Sequence, residues 1–78
     1  MKVIFTPHAL DRMKKRGIVE KMVLETLKNS EKVVEGYKDR KVAQKMFDDK
    51  LLRVIYEEKE DGLEVITAYL TSKVDKYR

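Results

Sequence analysis

Lys50-Leu51-Leu52-Arg53-Val54-Ile55-Tyr56-Glu57-Glu58-Lys59-Glu60-Asp61-Gly62-Leu63-Glu64-Val65-Ile66-Thr67-Ala68-Tyr69-Leu70-Thr71 decides the fold. Both arms are rich in β-branched and aromatic residues with a period of two, and Asp61-Gly62 between them suits a tight hairpin turn. Upstream, Lys38-Asp39-Arg40 and Asp48-Asp49-Lys50 are two further turn signals, with Val33, Val42 and Met46 continuing the same period. The chain from Lys32 onward therefore reads as a four-stranded antiparallel meander.

The first half has a helical period instead. Thr6 is placed to cap a helix and Pro7 to occupy its first position, where the missing N–H costs nothing. The helix is expected to run to about Arg16, with Ala9, Leu10 and Met13 as its apolar stripe and Asp11 paired to Lys15, and Gly17 ends it. Val19, Met22, Val23 and Leu27 repeat at helical spacing in a second segment that stops near Asn29-Ser30. Before the helices, Val3 to Phe5 reads as a strand at a sheet edge, with no sign of which neighbour it takes. The expected fold class is α+β: an N-terminal strand, then a two-helix hairpin packed on one face of an antiparallel four- to five-stranded sheet. It forms one domain over residues 1–78, since 78 residues support a single modest core.

Apolar residues occur on both faces of the last two strands. Leu51 and Ile55 alternate with Leu52, Val54 and Tyr56, while Ile66, Ala68 and Leu70 alternate with Val65 and Tyr69. One helical layer covers one face, so the other is expected to be open to a ligand, a partner or a second copy in a homodimer. If Leu52, Val54 and Tyr56 face the helices, Arg53 points into that open face.

Composition narrows the chemistry. Without cysteine the chain has no disulfide, thiolate zinc site or cysteine nucleophile, and His8 is its only histidine, so no metal or other cofactor is expected. The N-terminal apolar run is too short for a signal peptide and no segment has membrane-spanning length, so a cytoplasmic location and no membrane partner are expected. Charged residues make up 41% of the chain while Gln44 and Asn29 are its only side-chain amides, a balance that suits a thermophile. The net charge is +4. Arg12, Lys14, Lys15 and Arg16 near one end and Lys73, Lys76 and Arg78 at the other make the ends basic, whereas Glu57, Glu58, Glu60, Asp61 and Glu64 crowd one hairpin. Such a basic side fits an anionic partner, nucleic acid or an acidic protein.

His8, Arg12 and Arg16 follow one another at helical spacing of four residues. Metal-free cleavage of RNA by its own 2′-hydroxyl needs a group that exchanges protons and fixed cations for the developing phosphorane charge, and this stripe supplies both types. The same residues also fit a local hydrogen bond at a helix start and a solvated helix face. Arg53 reads equally as a phosphate contact or a salt-bridge partner. In the C-terminal run, Tyr69 reads as a packing residue, and Tyr77 either tethers the terminus or stacks on a base.

The order His8-Ala9-x-x-Arg12-Met13-x-x-Arg16-Gly17-Ile18, then Leu52-Arg53-Val54-Ile55-Tyr56, Val65-Ile66-Thr67-Ala68-Tyr69, Thr71-Ser72-Lys73 and Tyr77, resembles domain-of-unknown-function family 4258. That family in turn resembles the RelE and BrnT toxins, small ribonucleases neutralised by a cognate antitoxin. The resemblance implies a RelE-like, toxin-type endoribonuclease acting on RNA without metal, with an antitoxin protein as partner. Its site would map to His8, Arg12, Arg16, Arg53, Lys73 and Tyr77. The rival expectation is a non-catalytic module of the same fold that binds nucleic acid or protein. One departure is Val19, where the family commonly has Ser or Thr.

Overall fold

The computed structural model describes residues 2–77. Strand β1 (Lys2–Phe5) leads into helices α1 (Pro7–Lys15) and α2 (Glu20–Lys28), followed by strands β2 (Lys32–Glu35), β3 (Arg40–Phe47), β4 (Lys50–Lys59) and β5 (Gly62–Thr71) and a single turn of helix, α3 (Val74–Tyr77). The fold is α+β, and its five strands lie in the order β1-β5-β4-β3-β2.

Strands β2 to β5 form the expected antiparallel meander. β1 takes the expected edge place, but it runs parallel to β5, with Lys2 opposite Gly62 and Phe5 opposite Val65. The sheet is therefore mixed rather than antiparallel throughout. A parallel neighbour needs a long connection, and the two helices and three intervening strands provide it.

α1 begins as its sequence predicts. The Thr6 hydroxyl oxygen accepts from the Ala9 N–H at 3.0 Å and donates to the Val65 carbonyl at 3.1 Å, so one side chain both caps the helix and fixes it to β5. Lys15 pairs with Asp11 at 3.2 Å, and Gly17 ends the helix at φ +69°, where a Cβ would be strained. α2 lacks such a cap. Val19 occupies the position with no side-chain hydrogen bond, and it is 57% exposed, so little apolar burial depends on it. Val19→Thr is expected to raise stability by about 0.5–1 kcal/mol, read as a melting temperature higher by roughly 4 °C. A lower melting temperature would count against the missing cap as the weak point.

Ala9, Met13 and Val23 from the helices and Ile18 from the link between them pack on Leu52, Val54, Val65 and Ala68, with Val3, Phe5, Met22, Leu27, Phe47 and Leu70 around them. Val65 and Ala68 cannot share a face under strict alternation. A β-bulge resolves this: Tyr56 stays opposite Val65, but Ile55 faces Thr67, which leaves Ile66 without a partner in the ladder. The alternation read from sequence, with Val65 beside Tyr69, is thereby corrected: Val65 joins Ala68 and Leu70 on the helix face, and Tyr69 lies on the other.

That second face is not open across its centre. Gln44 and Leu51 point to it yet are each 3% exposed, because the chain turns back after Thr71 and brings α3 against them. The surface expected to be free for a second copy is thus partly taken by the protein's own C-terminal turn.

Candidate functional site

Three neighbouring strands build the site. Gln44 on β3 pairs with Arg53 on β4, which pairs with Tyr69 on β5, so their side chains stand in a row across the second face. Here the bulge matters. The turn sets Lys59 opposite Gly62, a register that would bring Ala68 to Arg53, and the extra residue at Ile66 moves Tyr69 there instead.

Arg53 is held on three sides. Its Nε donates to Gln44 Oε1 at 3.1 Å, its Nη1 donates to the Tyr69 hydroxyl, and its guanidinium lies 3.9 Å from the centre of the Tyr77 ring. Gln44 Nε2 then donates to the Tyr77 carbonyl at 2.8 Å, fastening α3 to the sheet. A cation between two aromatic rings is stabilised by their π faces and stays planar and fixed.

The two phenols are pushed in opposite directions. Burial, then hydrogen bonding with Tyr77, raises the Tyr69 hydroxyl above its ordinary value. The Tyr77 hydroxyl is held below its ordinary value, first by the hydrogen bond with Tyr69 and then by the positive charges of Lys76 and Arg53. In the row running from Arg53 through Tyr69 to Tyr77, the outermost phenol thus gives up its proton more readily than an ordinary one.

The six residues singled out in the sequence do not form one cluster. Arg53 and Tyr77 are in contact, and Lys73 stands exposed at the start of the turn, where its N–H donates to Thr71 Oγ1 at 3.0 Å. His8 and Arg12 ride on α1 and Arg16 is its C-cap; the buried side of α1 packs against the opposite face of the sheet. Arg16 also has a structural partner: its Nη1 donates to the Ala68 carbonyl at 2.8 Å, covering that backbone acceptor on β5 beyond the end of β1. The expected groove shared by the helix and the sheet face is therefore divided by the sheet itself.

Sequence reasoning missed Gln44 as a participant and placed Tyr69 only as packing. The turn at Asp48-Asp49 pairs Phe47 with Lys50 and so places Gln44 opposite Arg53, a signal that was available. No comparable signal marks the bulge. The acidic hairpin is also less bare than its composition suggests, since Glu57 pairs with Arg40 and Lys59, Glu58 with Lys41, and Asp61 with Lys2. Pairing with Lys59 and then Arg40 holds the Glu57 carboxyl below its ordinary value.

Residues 5–70 match the family described as Domain of unknown function (DUF4258). The chain belongs to that family. The DUF4258 match takes in His8, Arg12, Arg16, Gln44, Arg53 and Tyr69, and it ends before Lys73 and Tyr77. No curated protein and no solved structure matches the chain. Among the described residues of this DUF4258 member, no group of three His, Cys, Asp or Glu is arranged to hold a metal ion, and no helix is long and apolar enough to cross a membrane.

Proposed function

We propose that this DUF4258 protein is a toxin-type, RelE/BrnT-like endoribonuclease that cleaves RNA without a metal and is neutralised by a cognate antitoxin protein. The observation that carries this reading is the row Gln44-Arg53-Tyr69 with the Tyr77 ring stacked 3.9 Å from the Arg53 guanidinium, a fixed cation beside a phenol whose proton is held less tightly than usual. Once its phenol has lost its proton to solvent, the Tyr77 oxygen takes the proton of a ribose 2′-hydroxyl, whose oxygen then attacks the neighbouring phosphorus. Arg53 faces the charge that develops on the phosphorane, and Lys73 and Lys76 at the rim attract the strand. Water returns a proton to the departing 5′-oxygen, leaving a 2′,3′-cyclic phosphate.

His8 and Arg12, on the other side of the sheet, take the part of a remote phosphate contact in this arrangement. One observation favours the second reading, a non-catalytic RNA-binding module: Arg53 already spends its Nε and Nη1 hydrogen bonds inside the protein, leaving Nη2 as the main donor for a phosphate.

Cleavage of single-stranded RNA by the purified protein in EDTA separates these readings. The ribonuclease reading expects cyclic-phosphate ends from the wild type and a loss of roughly 10²-fold or more in rate for Tyr77→Phe. Binding with no cleavage moves the assignment to the binding module. Cleavage that survives Tyr77→Phe but is lost in His8→Ala relocates the chemistry to α1 and overturns the placement argued above.

A further inference from the structure

Beside the Arg53 row a second feature is open to solvent. A cavity of about 200 Å³ lies between the start of β2 and α3, lined by Glu31, Lys32, Gln44, Met46, Leu51 and Val74. Its wall is apolar: Leu51 is 3% exposed, Met46 is half-buried, and Val74 closes it from the C-terminal turn. Gln44 is shared with the row, and both its polar atoms are already bonded, to Arg53 and to the Tyr77 carbonyl. The groups left to recognise a ligand are Glu31 and Lys32.

Both are exposed, and neither forms an ion pair among the described residues. Glu31 is nevertheless fixed at its backbone, since its N–H donates to the Gln44 carbonyl at 2.9 Å. An apolar slot with a carboxylate on a fixed stretch of backbone and an ammonium beside it suits a planar ring with two adjacent donors at one edge and acceptors at another. Among RNA bases guanine has that pattern: N1–H and the N2 amino group face a carboxylate, and O6 and N7 face a lysine. Adenine and cytosine turn a ring acceptor toward the carboxylate, and uracil flanks its one N–H with two carbonyls.

We propose that this cavity is a guanine subsite, with Glu31 reading the donor edge of the base and Lys32 its acceptor edge. The proposal rests on the RNA-directed reading of the Arg53 row and names the base which that site prefers. Guanine in this slot lies next to Gln44, which brings the attached ribose and phosphate toward Arg53 and Tyr77.

The test is a titration of the isotope-labelled full chain with guanosine, adenosine, cytidine and uridine 5′-monophosphates, followed by amide shifts. The expected result is guanosine monophosphate binding roughly 10-fold or more tighter than the other three, with shifts at Gln44, Met46 and Leu51. In Glu31→Gln, an exposed change that leaves folding intact, the four affinities converge to within about twofold. Equal affinities in the wild type, or a guanine preference that survives Glu31→Gln, overturn the subsite. RNA cleavage without guanine preference overturns the subsite alone and leaves the ribonuclease reading standing. Guanosine monophosphate bound at the cavity by a chain that leaves RNA uncut supports the subsite and favours the binding module. No binding of any nucleotide or RNA overturns both.

Discussion

Arg53→Ala is expected to lower RNA cleavage by about 10²- to 10³-fold while the protein remains folded. Two losses combine. The phosphorane charge loses its fixed cation, and the Tyr77 hydroxyl loses one of the positive charges that hold it below its ordinary value. The side chain is half-buried, and no apolar core residue depends on it, so the fold should survive with a modest fall in melting temperature. Arg53→Lys should recover little, since an ammonium cannot keep the Gln44 bond, the Tyr69 bond and the flat contact with Tyr77 together. Full activity in Arg53→Ala, with folding verified by amide spectra, would remove this residue from the site.

The second large effect is structural. Gly62 begins β5 directly opposite Lys2 of β1, and a Cβ built on it would stand 2.1 Å from the Lys2 carbonyl oxygen and 2.9 Å from its carbon. Backbone cannot yield there as a flexible side-chain end would. In Gly62→Ala β1 must shift or detach, loosening Val3 and Phe5 from the core. The expected cost is about 2–4 kcal/mol from overpacking and partial loss of their burial, against a total of roughly 4–12 kcal/mol for a domain of this length. Urea unfolding measures it. A change below about 0.5 kcal/mol would mean that β1 carries little of the stability.

Much of the architecture is legible in local residue chemistry. Thr6-Pro7 and Gly17 mark their boundaries because a cap and a left-handed residue each favour few residue types, whereas the hairpin read at Asp61-Gly62 turns one residue earlier, at Glu60-Asp61, with Gly62 opening β5. The direction of β1 has no such marker, since Val3-Ile4-Phe5 fits a parallel or an antiparallel edge equally well. The bulge at Ile66 is likewise silent, because a β-branched residue fits a regular strand and a bulged one alike. That single extra residue decides whether Arg53 meets Ala68 or Tyr69, so the site depended on a feature that local patterning could not report.

α3 was hidden for a different reason. Val74-Asp75-Lys76-Tyr77 is too short for a helical period and too charged to suggest burial. What orders it is tertiary: Gln44 holds its last carbonyl, and Arg53 holds its ring. Helical spacing brings His8 and Arg12 together on α1, with Arg16 just past its end, yet it says nothing about which side of a sheet they will occupy. Arg16, bonded to the Ala68 carbonyl, shows the packing role that a surface arginine can take at the end of a helix.

The most direct test of the Arg53-Tyr69-Tyr77 row is the pH dependence of metal-free RNA cleavage, compared between wild type and Tyr77→Phe. A phenol must lose its proton to act as base, so the wild-type rate should climb with pH and level off at a value below the ordinary phenol value of about 10. Tyr77→Phe should be slow and lack that rise. A wild-type profile that is flat or falls over the same range, or one that Tyr77→Phe reproduces, would contradict the account.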